Sequence, residues 1–343
     1  MSQLGALLKA NVRRQVIDTS ADALIKTSFQ STDRVIPLTI EPNVDGYDLV
    51  RWAESNRELV GKLLLTHRAL LFRNCRITNA ALFREVIAAT SSGELLEYRD
   101  RSTPRLMVEK GVYTSTEYPS EHSISLHNEG TYWLRWPLKL YFCCVQAADT
   151  GGETPIADVR RVLSRIPPEV VERFREKQVL YVRNYNDGFG LPWQDVFQSG
   201  DKSFVEDYCH SNRIEFEWKT GGRLRTRQLR PAVALHPATG EAVWFNHAAF
   251  FHVSSLNRDV RETLLDDFGE RELPYNTYYG DGSPIEQEAL DQIREAYKAE
   301  TVVFGWNRGD VMLLDNMSIA HGRNPYTGVR RILAGMSEPF GND

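Results

Sequence analysis

Two blocks of short β-forming segments, far apart in the chain, constrain the fold more than any other feature. The first begins near residue 105 with RLMVEKGVYTST and continues through LKLYFCCVQAA, bounded by Gly, Pro and Asp. The second ends the sequence as TVVFGWNRGDVMLLDNMSIAHGRNPYTGVRRILAGMSEPF, again strand, turn and strand. Runs rich in β-branched and aromatic residues between turn formers read as strands. Helical apolar spacing precedes the first block, over residues 46–68 and across TNAALFREVIAAT, with the short strand-like ALLFRN between them. Between the blocks, IADVRRVLSRIPPEVVERFREK reads as helix, with Pro167-Pro168 starting a second one, and SPIEQEALDQIREAYKAE reads as a further helix. HPATGE is a hairpin signal. Strands in two blocks, with helices before and between them, predict a mainly β, α+β protein: a sandwich or jelly roll with flanking helices.

The 343 residues are divided into an N-terminal arm over 1–35, expected to be loosely ordered, and one domain over 36–343. An irregular insert or lid is expected around 183–228, where RNYNDGFGLPWQDVFQSGDKS is long for a simple connection. Charge excludes some functions. Lys and Arg total 41 against 46 Asp and Glu, so no global field draws the protein to nucleic acid or anionic lipid. No apolar run approaches the ~20 residues of a membrane helix. The opening MSQLGALLKANVRRQ has its charges after a short apolar patch, the reverse of a secretory signal, so a cytoplasmic protein is expected. Cys75, Cys143, Cys144 and Cys209 form no CxxC pair and read as reduced core thiols, with Cys143 and Cys144 on opposite strand faces.

Chemistry concentrates in SLHNEGTYW. His127 and Glu129 stand two apart, so in a strand both side chains leave one face. An isolated HxE equally describes a turn residue beside a half-buried histidine. His321, just after the apolar strand and polar turn of LLDNMSIAHGR, supplies what that pair lacks. Two histidines and one carboxylate match the facial triad of non-haem Fe(II) oxygenases, which leaves three adjacent coordination positions open for a chelating cosubstrate and O2. A cosubstrate such as 2-oxoglutarate also needs a cation for its far carboxylate. Arg331, on VRRILAGM, is the candidate, because a guanidinium fork donates two parallel hydrogen bonds; a surface ion pair is its alternative.

Together, VYTSTEYP…LHNE, DTGGETPIAD, MLLDNMSIAHGR and RRILAGM resemble the taurine dioxygenase-like Fe(II)/2-oxoglutarate oxygenases over roughly residues 60 to 340. The resemblance implies a double-stranded β-helix core with His127, Glu129 and His321 as iron ligands. It also implies that Thr154 and Arg331 hold the distal carboxylate of 2-oxoglutarate, with Arg330 on the other face. Two departures matter. Glu129 stands where most relatives of taurine dioxygenase have Asp. Gly335 stands four residues after Arg331, where the taurine and phenoxyacetate enzymes place a second arginine for an anionic substrate, so a sulfonate or aryloxyacetate is not expected. Halogenases of the superfamily replace the carboxylate ligand with a small residue, so Glu129 argues for hydroxylation.

The closer texture resembles stand-alone hydroxylases of nonribosomal peptide, including antibiotic, biosynthesis. That resemblance implies an amino-acid-derived substrate tethered to a peptidyl carrier protein. Alternatives are a hydroxylase or desaturase of a free amino acid or other small molecule, and a non-catalytic jelly-roll docking module. Arg223, Arg225 and Arg227 alternate along GRLRTRQ and share one face if extended, either to bind a carboxylate or phosphate or simply to charge an edge strand. Asn246 and Arg323 are placed near the cavity mouth as substrate contacts, although Asn246 could equally satisfy a buried backbone group. Asn128 is expected to stabilise the turn, and His247 and His252 to be packed or hydrogen-bonded.

Overall fold

The computed structural model describes residues 24–29, 36–44, 46–98, 100, 105–116, 118–185 and 190–341. Chain entry is by two strands, β1 (Ile25–Phe29) and β2 (Leu38–Pro42), followed by helices α1 (Leu49–Ser55) and α2 (Arg57–His67). The single helix expected over 46–68 is therefore two, broken at Asn56. Strand β3 (Ala69–Phe72) and helix α3 (Ala80–Thr90) follow, the latter capped by Asn79, whose side chain accepts from the Leu82 N–H. That bond satisfies one of the donors a helix start leaves open.

The first β block supplies β4 (Met107–Glu109), β5 (Val112–Thr114), β6 (Ile124–His127), β7 (Arg135–Gln146), β8 (Thr150–Gly151) and β9 (Ile156–Asp158). Helices α4 (Val159–Arg165) and α5 (Pro168–Lys177) come next, with Pro168 opening the second as expected. The middle contributes β10 (Val179–Tyr185), α6 (Trp193–Phe197), α7 (Lys202–Ser211), β11 (Glu215–Trp218), β12 (Leu224–Arg230), β13 (Val233–Leu235), β14 (Ala242–Trp244), α8 (Ala248–Phe251), α9 (Arg258–Phe268), β15 (Tyr275–Tyr279) and α10 (Gln287–Glu300). The last block gives β16 (Val311–Asp315), β17 (Ile319–Arg323), β18 (Tyr326–Thr327) and β19 (Arg331–Gly341).

An eight-stranded sheet in the order β1-β2-β3-β16-β7-β19-β5-β4 forms one wall. Its central strands are buried on both faces, and alternate residues divide between two cores. Leu140, Phe142 and Cys144 of β7, Met312 and Leu314 of β16, and Ile332, Ala334 and Met336 of β19 face inward to β9 and β17. Tyr141, Cys143, Val311, Leu313 and Leu333 face helices α1, α2 and α3. The two adjacent cysteines thus do lie on opposite faces, and all four are free and buried. Opposite the large sheet stand β6-β17-β9 and a four-stranded sheet, β11-β12-β10-β15. This is the sandwich expected from the two strand blocks.

Two expectations about boundaries change. Strand β1 pairs antiparallel with β2 from Ile25↔Pro42 to Phe29↔Leu38, so ordered sheet begins inside the supposed arm; residues 1–23 and 30–35 lie outside the described set. The 183–228 stretch is largely regular. Its helices α6 and α7 pack Trp193, Val196, Phe197, Val205 and Cys209 against Tyr185 and Leu224, a separate apolar cluster in place of the expected irregular insert. Residues 186–189 lie outside the described set.

Candidate metal and cosubstrate site

Backbone pairing brings the two histidines together. Strand β17 runs antiparallel to β6, and His321 lies directly opposite His127. Gly322 allows that approach: a Cβ there would stand 2.6 Å from the Ile124 carbonyl oxygen. The strand ends at His127, so Glu129 comes from the following turn and not from a strand position, as alternation had suggested. Gly130, at φ +71, makes that turn, and a Cβ at that site would meet the Trp133 ring at 2.4 Å. Asn316 fixes the turn from the end of β16. Its Oδ1 accepts from the Glu129 N–H at 2.8 Å, and its Nδ2 donates to the Glu129 and Pro137 carbonyls at 2.9 Å each. The Asn128 side chain returns a bond to the Asn316 carbonyl at 2.6 Å, a turn-stabilising role as expected.

Candidate ligand atoms of His127, Glu129 and His321 all lie within 4.8 Å of one another, and all three residues are buried. The His127 Nδ1 bonds to the Ser125 carbonyl at 2.8 Å, which leaves Nε2 available, and its ring stacks on Phe250 with centroids 4.5 Å apart. The Nδ1 of His321 is buried without a hydrogen-bond partner. Burial lowers the pKa of both imidazoles, keeping them neutral, which is the state a metal ligand needs. Burial alone would raise the Glu129 carboxyl, but Arg105, then His127 and His321, and the Tyr98 hydroxyl outweigh it and hold it down to about 2. Two neutral imidazoles and one ionised carboxylate converging within 4.8 Å fit a divalent ion of the Fe(II) type.

His127 and Glu129 line a cavity of about 140 Å³ with Arg105, Tyr118, Phe250 and Tyr275. A smaller cleft adjoins it, lined by His127, His321, Thr154, Arg105, Arg323 and Arg330. Here one expectation is overturned. Arg331 is exposed, while Arg330 faces the cleft. The Arg330 Nη2 donates to the Thr154 hydroxyl at 3.4 Å, and its Nε donates to the Gly152 carbonyl at 2.8 Å. Trp306 donates to the same hydroxyl at 3.0 Å. Arg330 shares its face with Ile332 and Ala334, so the residue four positions on is Ala334, whereas Gly335 packs away from the cavity against Ile87 of α3. Burial, and then the Arg323 cation, push the Arg330 guanidinium down to about 10, still protonated at neutral pH. Among the described residues neither Arg323 nor Arg330 has a carboxylate within ion-pair distance. A half-buried cation pair of this kind is an electrostatic seat for an anion.

The four candidate substrate residues are placed elsewhere or are otherwise engaged. Asn246 is buried and spends its amide on backbone, donating to Ala232 and accepting from Ala248. Arg323 reaches the smaller cleft but staples the preceding loop, donating to the carbonyls of Tyr118, Pro119 and His122. Arg225 bonds Asn184, the Arg271 carbonyl and Glu272, and with Arg227 it lines a groove on the outer face of the four-stranded sheet. That groove shares no residue with the His127 cavity. His247 donates its Nε2–H to the Asn128 carbonyl, 2.7 Å away, and His252 bonds Ser254, so both are hydrogen-bonded and outside the metal cluster. Arg330, Asn316, Tyr98 and Arg105 were not singled out for this site. For Arg330 the parity with Ile332 is the available signal; around Tyr98 and Arg105 the sequence EYRDRSTPR offers no motif or periodicity.

A family model described as "Taurine catabolism dioxygenase TauD, TfdA family" matches residues 32–337. The dapdiamide synthesis protein DdaC of Enterobacter agglomerans is 41% identical over 280 residues, covering 82% of this chain and 85% of that protein. The crystal structure of PvcB from Pseudomonas aeruginosa superposes with a TM-score of 0.54 at 16% identity, covering 93% of this chain and 92% of that one. A second PvcB structure, described as an Fe, alpha-ketoglutarate dependent oxygenase from an isonitrile synthetic pathway, gives 0.53 at 16% identity, with 94% of each chain covered.

Proposed function

The chain belongs to the taurine catabolism dioxygenase family, and on that premise we propose that it oxidises an unactivated C–H bond of an amino-acid-derived substrate carried on a peptidyl carrier protein, in specialised-metabolite biosynthesis. It is an Fe(II)/2-oxoglutarate-dependent dioxygenase with the double-stranded β-helix fold of that group. The observation that carries the site assignment is the convergence of His127, Glu129 and His321 within 4.8 Å beside a cleft that holds Thr154 and Arg330.

The residues divide the work. His127, Glu129 and His321 would hold the iron, which would supply O2 activation coupled to conversion of 2-oxoglutarate to succinate and CO2. Arg330 and Thr154 receive the far carboxylate of 2-oxoglutarate and set its approach. Phe250, Phe142 and the buried core behind them exclude water around the two imidazoles. Arg105, Tyr118, Tyr275 and the serines 123, 125 and 255 line the space left for substrate beside the metal. The name of the relative DdaC, a dapdiamide synthesis protein, supports a biosynthetic role. The motif resemblance to nonribosomal peptide hydroxylases supports the carrier.

The test is turnover of a panel of amino acids, each supplied both free and as its carrier-bound thioester, with product masses read after hydrolysis. Oxidation confined to the thioesters supports the reading. Oxidation of a free amino acid at equal or greater efficiency removes the carrier from it. Loss of mass by two in place of a gain of sixteen would make the outcome desaturation.

A further inference from the structure

The carboxylate of Glu129 is held from both ends before any metal arrives. The Tyr98 hydroxyl donates to Oε1 at 2.7 Å, and the Arg105 Nη2 donates to Oε2 at 3.0 Å. Both partners are buried, Tyr98 to 1% and Arg105 to 6% exposure, and the guanidinium lies over the tyrosine ring, 4.2 Å from its centroid. Asp100, between them in sequence, pairs with Arg183 of β10, and its carbonyl accepts from the Tyr132 hydroxyl and the Trp133 indole.

The clamp has a chemical purpose that follows from the length of the ligand. Glutamate has one more rotatable bond than aspartate, so its carboxylate swings more freely and can offer both oxygens to one cation. An octahedral ion with three protein ligands has three positions left, two for a chelating 2-oxoacid and one for O2. A chelating carboxylate would take one of them.

We propose that Tyr98 and Arg105 are positioning residues that restrict Glu129 to a single metal-facing oxygen and so keep the third position open. This rests on the iron reading above. Whichever oxygen the metal takes, the other stays bonded to its own donor, and rotation toward chelation requires breaking a buried, charge-assisted or hydroxyl hydrogen bond. Arg105 also lines both the larger cavity and the cosubstrate cleft, so the same side chain touches substrate space and metal ligand.

The experiment uses Co(II) as the probe on the purified metal-free protein, without oxygen. Co(II) affinity is measured by calorimetry, the visible absorption of bound Co(II) reports coordination number, and 2-oxoglutarate is then titrated in. Tyr98→Phe removes one hydroxyl and no charge; Arg105→Met removes the cation; Arg105→Lys restores a single donor. The variant that frees the non-coordinated oxygen should bind Co(II) as tightly as the parent or tighter, with weaker visible absorption as coordination number rises. Its 2-oxoglutarate affinity should fall about tenfold, and Arg105→Lys should recover part of any loss seen in Arg105→Met. Unchanged spectra and cosubstrate affinity in both Tyr98→Phe and Arg105→Met would overturn the proposal. So would Co(II) and cosubstrate affinity falling together, which marks a merely structural role. A parent protein that binds neither Co(II) nor 2-oxoglutarate would overturn the iron reading as well.

Discussion

Replacing Arg330 and Arg331 one at a time discriminates two adjacent side chains that the sequence alone cannot separate. Arg330 sits in the cleft with Thr154 and His321, its guanidinium aimed by bonds to Gly152 and Thr154. Arg331 lies exposed at the first position of β19. Removing one partner of a buried, hydrogen-bonded charge pair costs about 2–5 kcal/mol. At 1.4 kcal/mol per tenfold, Arg330→Met should weaken 2-oxoglutarate binding by roughly 30- to 3,000-fold. Arg330→Lys keeps the charge without the fork and should fall between that and the parent. Arg331→Ala, a surface change within about 0.5 kcal/mol, should shift binding by no more than about twofold. The assay is anaerobic titration of 2-oxoglutarate into the Fe(II)-loaded protein, followed by the visible charge-transfer band that needs both. A large loss in Arg331→Ala with Arg330→Met unaffected would refute the placement of the cosubstrate.

Other consequences are as direct. Asn316→Ala abandons two buried hydrogen bonds to Glu129 in its turn and one to the Pro137 carbonyl of β7, and should destabilise by about 3 kcal/mol or more in denaturant unfolding at 1–3 kcal/mol per stranded group, while also weakening Co(II) binding. Burial, with Arg294 and Arg261 nearby, holds His252 down to about 4 from 6.5, so the unfolded chain takes up a proton that the folded one resists. Its contribution is complete above pH 6.5 and lost as pH falls toward 4, about 2 kcal/mol by pH 5; His252→Gln should flatten the fall in stability between pH 7 and pH 5, and an equally steep fall in that variant would count against it. Metal and cosubstrate should stabilise cooperatively: Zn(II) and 2-oxoglutarate together should raise the melting temperature by more than the sum of their separate shifts, since each ligand completes the other's site. Simple additivity would mean that the two bind independently.

Much of the site was legible because its parts are bound to strong local patterns. HNE follows an apolar alternation and precedes a Gly turn, and His321 follows five buried residues of β16 and a polar turn. Those patterns fix position along the chain well. They fix facing only where one side of a strand meets water. Strand β19 is buried on both faces from Ile332 to Met336, so hydrophobic alternation vanishes and nothing local says which parity looks at the metal. The register also shifts between Arg331 and Ile332. Local pattern therefore does not distinguish Arg331 from Arg330, or Gly335 from Ala334. Arg225 and Arg227 failed for a different reason: they do share a face, but sheet order puts that face on the outside of the four-stranded sheet, and order is a long-range property. Likewise the aromatics of 193–218 looked like a loop because their partners, Tyr185 and Leu224, lie on other strands.

The site is built from deficits of opposite sign set side by side. On one wall, Glu129 and two neutral imidazoles, one with a buried nitrogen that bonds to nothing, present negative charge and lone pairs. On the other, Arg323 and Arg330 bring positive charge out of water among apolar neighbours, with no carboxylate in reach among the described residues. Glu129 has a buried cation in Arg105, but among the described residues the His321 Nδ1 lacks a hydrogen-bond partner and Arg330 lacks a carboxylate, and a buried group without its partner costs about 1–3 kcal/mol. Moving the two walls into contact would relieve both, as an internal ion pair. The fold prevents this. Glu129 is tied to Tyr98, Arg105 and Asn316, and Arg330 is tied to Gly152 and Thr154. Each tie uses a group that could otherwise have collapsed into the gap. What remains between the walls is a space whose two sides suit a divalent cation and a dicarboxylate, and a metal with a 2-oxoacid chelated to it answers both at once.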